Sequence, residues 1–246
     1  MVKSAPGGTL PTAAPISETA AWRLVPMDNQ HSQASQGQIL QFMIAEYEAL
    51  REARSISFTV SSNSSNLFLA AVSGAIIALA LIGNVDALEE HFFLASVIML
   101  SGLLLVGFCT FVRTLEGQIS CRIYVRGMNR IRRYFVELAP SVADYFILPV
   151  SDDVPAFCSA GFNASRWAPL FINLPGMIAV INSIIGSVLI VGSLVVLFAM
   201  STQCIILLGG VAVIVMFIAH QLWQIVRLKR EESKKEICFP SAKIHK

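Results

Sequence analysis

The chain has 246 residues, of which 55% are hydrophobic and only 14% charged, with a formal net charge of +2. A mean hydropathy of +0.66 is too high for an ordinary soluble domain of this length. Composition excludes the soluble globular class and points to lipid, and the small net charge conceals a very uneven placement of the basic residues.

Residues 1–36 are rich in Ala, Pro, Ser, Thr and Gln and lack an apolar run, so they read as a disordered tail without a signal peptide. Residues 37–62 read as an amphipathic helix, with Leu40, Met43, Tyr47, Leu50 and Phe58 on one stripe and Glu48 within reach of Arg51. Residues 63–112 form a first membrane hairpin. A span needs about 20 apolar residues to cross about 30 Å of hydrocarbon, and 67–83 and 92–112 supply two, the first borrowing a turn from 63–66. Asn63 and Asn66 in the entry sequence SSNSSN are candidates for polar contacts between helices or, in the sharper reading, for a pore vestibule. Ala70, Gly74 and Ala78 offer a small-residue face for close helix approach.

Residues 113–169 form a basic helix followed by an aromatic loop. In RIYVRGMNRIRRYF, five arginines stand together. Arg122, Arg126, Arg130 and Arg133 share one face, Arg132 stands off it, and Ile119, Ile123, Ile131, Phe135 and Leu138 supply an apolar face. These arginines are candidates for contact with anionic lipid headgroups or with a partner, including Glu46, Glu48 and Glu52 of the first helix. Arginine interleaved with aromatic residues also raises nucleic acid. Membrane topology alone accounts for the same residues, however, and the following loop is acidic at Asp144, Asp152 and Asp153, so nucleic acid is not expected. Asp152-Asp153 reads as a solvated turn. The loop carries prolines with Tyr145, Phe146, Phe157, Phe162 and Trp167 between them, and is expected to pack on the basic helix or skim the interface.

Residues 170–224 form a second hairpin, with spans at 171–200 and 204–223; Pro169 and Pro175 mark where the third span begins or kinks. Asn182 and Ser183 lie midway along it and are candidates for interhelix polar contacts or a pore lining. Gly186, Ser187 and the pair Gly209-Gly210 permit close packing. His220 and Trp223 read as an interfacial anchor. Residues 225–246 are a basic tail.

All eighteen Lys and Arg fall before the first span, between the second and third, or after the fourth, and neither hairpin loop contains any. The positive-inside rule places those three segments, and both termini, in the cytoplasm. The expected fold is an all-α integral membrane protein of four spans in two hairpins, N-in and C-in, with cytoplasmic helical extensions. The five cysteines show neither a disulfide framework nor a CxxC pair beside histidine, so no metal site is expected. The sequence lacks GxSxG, HExxH, a Walker loop and a dinucleotide fingerprint, and His31, His91, His220 and His245 fall in four separate segments. Neither catalysis nor a cofactor is expected.

Two stretches, EYEALREAR feeding a span and RGMNRIRRYFVE following the next, resemble bacterial multi-pass proteins with paired membrane hairpins and an Arg-Arg-Tyr-Phe helix. More loosely, helix plus hairpin is similar to the SLATT-type membrane domains. The first resemblance implies a bacterial inner-membrane location, and the second implies a pore-forming effector. The residues themselves favour a non-enzymatic inner-membrane protein that self-associates and offers its cytoplasmic helices to lipid headgroups or a protein partner. An oligomeric channel is the alternative. Small-molecule transport ranks last, because the spans hold no charged or broken-helix substrate site.

Overall fold

The computed structural model of the chain describes residues 36–84, 89–153, 173–198 and 201–241. The expected tail before Gln36, the loop at 85–88, the stretch 154–172 with Phe157, Phe162 and Trp167, the positions 199–200 and the last five residues lie outside the described residues. Two compact units divide at Phe42. In the first, the described residues are opening turns of a helix with Leu40 and Phe42 exposed. The second unit, from Met43 onward, contains the helical bundle.

No strand occurs among the described residues. The elements are α1 (Gln36–Ile82), α2 (Glu89–Leu138), a 3-10 helix (Pro140–Tyr145), α3 (Leu174–Leu197) and α4 (Thr202–Ser233). All four α-helices are long and apolar enough to cross a bilayer, and each contains one of the expected apolar runs in whole or in large part. At 1.5 Å per residue the 47 residues of α1 and the 50 of α2 are about 70 and 75 Å long. That is more than twice the hydrocarbon thickness, so each helix continues well past its apolar part.

Local chemistry explains the helix limits. The SSNSSN run leaves α1 unbroken because Ser64 Oγ donates to the Val60 carbonyl at 2.9 Å and Ser65 Oγ to the Ser61 carbonyl at 3.0 Å, satisfying the hydroxyls inside the helix. Helix α2 stops where Ala139 leaves the helical region (φ −141°, ψ 86°) ahead of Pro140. Asn173 caps α3 by accepting the Gly176 N–H at 2.7 Å, and Pro175 occupies its first turn, so this proline starts the helix rather than kinking it. Ser201 caps α4 by accepting the Cys204 N–H at 3.4 Å.

Packing is organised around α2. Gly107, Gly117 and Gly127 recur along it at ten-residue intervals. A Cβ on Gly107 would overlap Asn182 Oδ1 and come within 2.7 Å of the Phe68 ring; one on Gly117 would overlap Ser61 Oγ; one on Gly127 would lie 2.8 Å from Leu50 Cδ1. The α1 partners fall in number as the α2 glycines rise, so these helices run antiparallel. The small-residue face expected at Gly74 is open instead, with nothing within 4 Å. On α1 the inward residues are Met43, Tyr47, Leu50, Ser57, Ser61, Ser65 and Phe68, while Phe58, one position off that stripe, is 61% exposed.

Helices α3 and α4 meet where Ser187 Oγ donates to the Gly209 carbonyl at 2.9 Å and Gly186 faces the Met216 thioether. The buried core joins Phe68 of α1, Leu103, Phe111, Leu115 and Ile119 of α2, and Ile178, Ala179 and Ile185 of α3. Large apolar side chains such as Ile76, Leu105, Ile184 and Leu207 point outward, as lipid-facing surfaces do.

Candidate functional site

Beyond its apolar part, α2 carries the arginine-rich stretch, and there the chain builds an ion-pair cluster. Asp152 is its centre. The residue is wholly buried, not the solvated turn that its sequence context suggests. Its Oδ2 accepts from Arg130 Nε at 2.8 Å and from the Cys238 N–H at 3.1 Å; its Oδ1 accepts from the Phe239 N–H at 2.9 Å. The Asp152 N–H in turn donates to the Phe239 carbonyl at 3.0 Å, so the segment before residue 154 and the tail pair backbone to backbone. Asp153 continues the contact by accepting from the Ser241 N–H at 2.8 Å and from the Ser241 hydroxyl.

The arginines fasten this junction to α2. Arg126, buried, donates through Nε to the Asp152 carbonyl at 3.0 Å and forms an ion pair with Glu232 at the end of α4. Arg130 also donates to the Glu236 carbonyl at 2.6 Å, and Asn129 Nδ2 to the Ser151 carbonyl at 2.8 Å. Arg132, off the main arginine face, is buried toward α1, where it donates to the Tyr47 hydroxyl at 3.0 Å, with its guanidinium carbon 5.5 Å from that ring's centroid. Its other arm donates to Asn129 Oδ1 at 2.5 Å, linking the α1 contact to the loop contact at Ser151. Arg133 pairs with Glu137 at 2.8 Å and lies over the Phe239 ring at 5.9 Å. Arg122 lines a small cleft with Glu231 and Glu232. The acidic partners thus come from the loop, α4 and, for Arg133, α2 itself, while Glu48 pairs with Arg51 of its own helix.

Burial pushes the Asp152 carboxyl up, but the Cys238 and Phe239 N–H groups and the Arg130 guanidinium together outweigh it and hold the group below its ordinary value. A buried carboxylate with three donors, one of them a cation, is an internal counter-ion and a rigid tie. Among the described residues no three His, Cys, Asp or Glu side chains converge as metal ligands.

The other sequence candidates fall elsewhere. Asn63 and Asn66 are exposed on α1, whereas Ser61 and Ser65 beside them are buried. Asn182 and Ser183 are fully buried inside the bundle. Ser183 Oγ donates to the Ala179 carbonyl at 2.6 Å, but neither amide atom of Asn182 has a hydrogen-bond partner among the described residues. His220 and Trp223 pack on α2: Trp223 stacks on Phe108 at 5.5 Å, and His220 meets the Phe111 ring edge-on at 5.0 Å. His220 Nδ1 lies 2.8 Å from the Met216 carbonyl, which can only accept, so that nitrogen carries the proton. Sequence reasoning missed Asp152 and the tail it holds. The hydrophobic-basic-acidic alternation of VRLKREE, which predicts that α4 continues beyond its span, was the one available signal for the Glu232 contact.

No protein-family model matches the chain, and neither the curated proteins nor the solved structures provide a match. Among the described residues the fold is all-helical, with four helices long and apolar enough to cross a membrane, which is compatible with a multi-pass membrane protein.

Proposed function

We propose that the chain is a non-enzymatic, multi-pass protein of a bacterial inner membrane whose two hairpins leave both termini and the arginine cluster in the cytoplasm, where they form an interaction and sensing platform. The observation that carries this reading is the unbroken continuation of α1 and α2 far beyond bilayer thickness, ending in a cluster that ties α2 to the tail. A rigid pair of helices rooted in the membrane and clasped at its far end transmits a change at either end to the other. The surface beside the cluster suits a protein partner: a cavity of about 620 Å³ is lined by Tyr47, Arg132, Phe135, Tyr145 and Ile147, the last 98% exposed. Self-association belongs to the same reading, since Ala70 and Gly74 leave an open small-residue face on α1. A photo-crosslinking residue at Ile147 in the full chain, in native membranes, tests the platform. Discrete protein adducts support it, and adducts to lipid alone oppose it.

One observation favours a second reading, an oligomeric channel. The buried amide of Asn182 has no partner among the described residues, and a polar group in that condition stabilises a state in which water or an ion reaches it. Conductance of purified protein in liposomes that disappears in Asn182→Leu supports this reading, and a silent bilayer removes it.

A further inference from the structure

Where α1, α2 and the start of α3 come together, they line an open-sided cavity of about 720 Å³ that neither the ion-pair cluster nor the apolar core uses. Its two ends differ in chemistry. One end is formed by Ser61, Thr114 and Pro175. These residues mark the edge of the hydrocarbon: Ser61 opens the polar entry to the first apolar run, Thr114 follows the first charge after the second, and Pro175 sits in the first turn of the third. The other end carries Arg51 and Arg54, with Gln118 between the two ends. Arg51 is tied to Glu48, whereas Arg54 joins no ion pair among the described residues, and both are exposed.

The seven residues from Arg54 to Ser61 rise about 10 Å along α1, so the guanidiniums stand outside the apolar edge, on the headgroup side of Ser61. The start of α3 adds little as an anion site, because Asn173 already caps Gly176 and Pro175 has no N–H. Recognition therefore falls to the arginines. We infer that this cavity holds one anionic glycerophospholipid, its phosphate on Arg54 and Arg51, its glycerol beside Gln118 and Ser61, and its acyl chains leaving along Phe58 and Leu174 into the bilayer. A soluble phosphate would satisfy the arginines but leave the apolar lining of Phe58, Leu174 and Pro175 uncovered. The inference rests on the proposed orientation only for the leaflet that supplies the lipid.

Native mass spectrometry of the full-length protein, released from micelles and titrated with phosphatidylglycerol or phosphatidylcholine, tests it without reference to sidedness. A failed topology assignment would leave the result unchanged. Wild type is expected to retain one phosphatidylglycerol in preference to phosphatidylcholine. Arg54→Gln should weaken that retention about fivefold, the double change Arg51→Gln with Arg54→Gln more than tenfold, and Arg54→Lys much less. Ser55→Trp, which places a large ring in the cavity from an exposed position, should abolish retention, and Arg113→Gln, outside the cavity, should not change it. Equal retention of the two lipids overturns the inference, as does wild-type binding in both the double variant and Ser55→Trp. Displacement of the lipid by equimolar glycerol 3-phosphate or inorganic phosphate also overturns it and identifies a soluble ligand instead.

Discussion

Arg130 Nε stands 2.8 Å from Asp152 Oδ2, and the same carboxylate accepts the backbone N–H groups of Cys238 and Phe239 at 3.1 and 2.9 Å. One side chain thereby joins α2 to a loop 22 residues away and to a tail 86 residues beyond that. The donors on the tail are main-chain groups, so the tie depends on Asp152 far more than on the identity of residues 238 and 239.

Asp152→Ala should release the tail. Breaking a buried ion pair costs about 3–5 kcal/mol, and because Arg130 is 37% exposed the lower end of that range applies. Trypsin cleavage at Lys234 and Lys235 in membranes reports the opening, with an expected acceleration of one to two orders of magnitude. An unchanged rate would mean that the tail is held by something else.

The Asp152 tie should persist across the physiological range and fail only in strong acid. Its folded pKa lies below the ordinary 3.8, so its contribution to stability is fully present above that value and is lost as the pH falls through the lower folded value. A fluorophore on Cys238, whose side chain is exposed, should report a closed tail from pH 7 to 5 and opening only below the ordinary value of 3.8. A midpoint near 6 would assign the transition to another group.

Gly107→Ala and Gly74→Ala should move stability in opposite directions. The first forces a methyl onto Asn182 Oδ1 and the Phe68 ring, an overpacking cost of about 1–3 kcal/mol, while the second fills open space and gains about 0.5–1 kcal/mol of helix propensity. Thermal unfolding in detergent should show a lowered Tm for Gly107→Ala and an equal or raised one for Gly74→Ala.

Asn182→Ala should partly rescue Gly107→Ala, because it removes the atom that the new methyl strikes. The double-mutant cycle is expected to give a coupling of about 1 kcal/mol or more, the remainder being the contact with Phe68. Strict additivity would place Asn182 away from Gly107.

The four apolar runs were legible because membrane helices need length and hydrophobicity, and both are local properties of sequence. The helix limits were less so: Pro140 and the caps at Asn173 and Ser201 are readable signals, but nothing local announces that SSNSSN continues α1, since its hydroxyls could equally bond outside the helix. The four-three periodicity did group Arg126 and Arg130, which share the Asp152 junction, and set Arg132 apart, which faces Tyr47. It could not supply their partners. Asp152 resembles a solvated acid beside prolines, and the backbone N–H groups of Cys238 and Phe239 have no sequence signature. The glycines of α2 escaped for a related reason. A search for small residues four apart finds Ala70 and Gly74, whereas the close approaches to α1 recur every ten residues, at Gly107, Gly117 and Gly127.

The central claim is that the arginine cluster of α2 clasps the tail on the cytoplasmic side of a four-span protein. Amide hydrogen exchange of the full-length protein in inside-out and right-side-out vesicles tests both halves of it, with the exchange quenched after deuterium oxide is added to one side only. The account predicts that residues 232–241 take up label only from the cytoplasmic side, slowly at Cys238 and Phe239 in wild type and much faster in Asp152→Ala. Labelling of that segment from the opposite side, or equally fast exchange in wild type and variant, would contradict it.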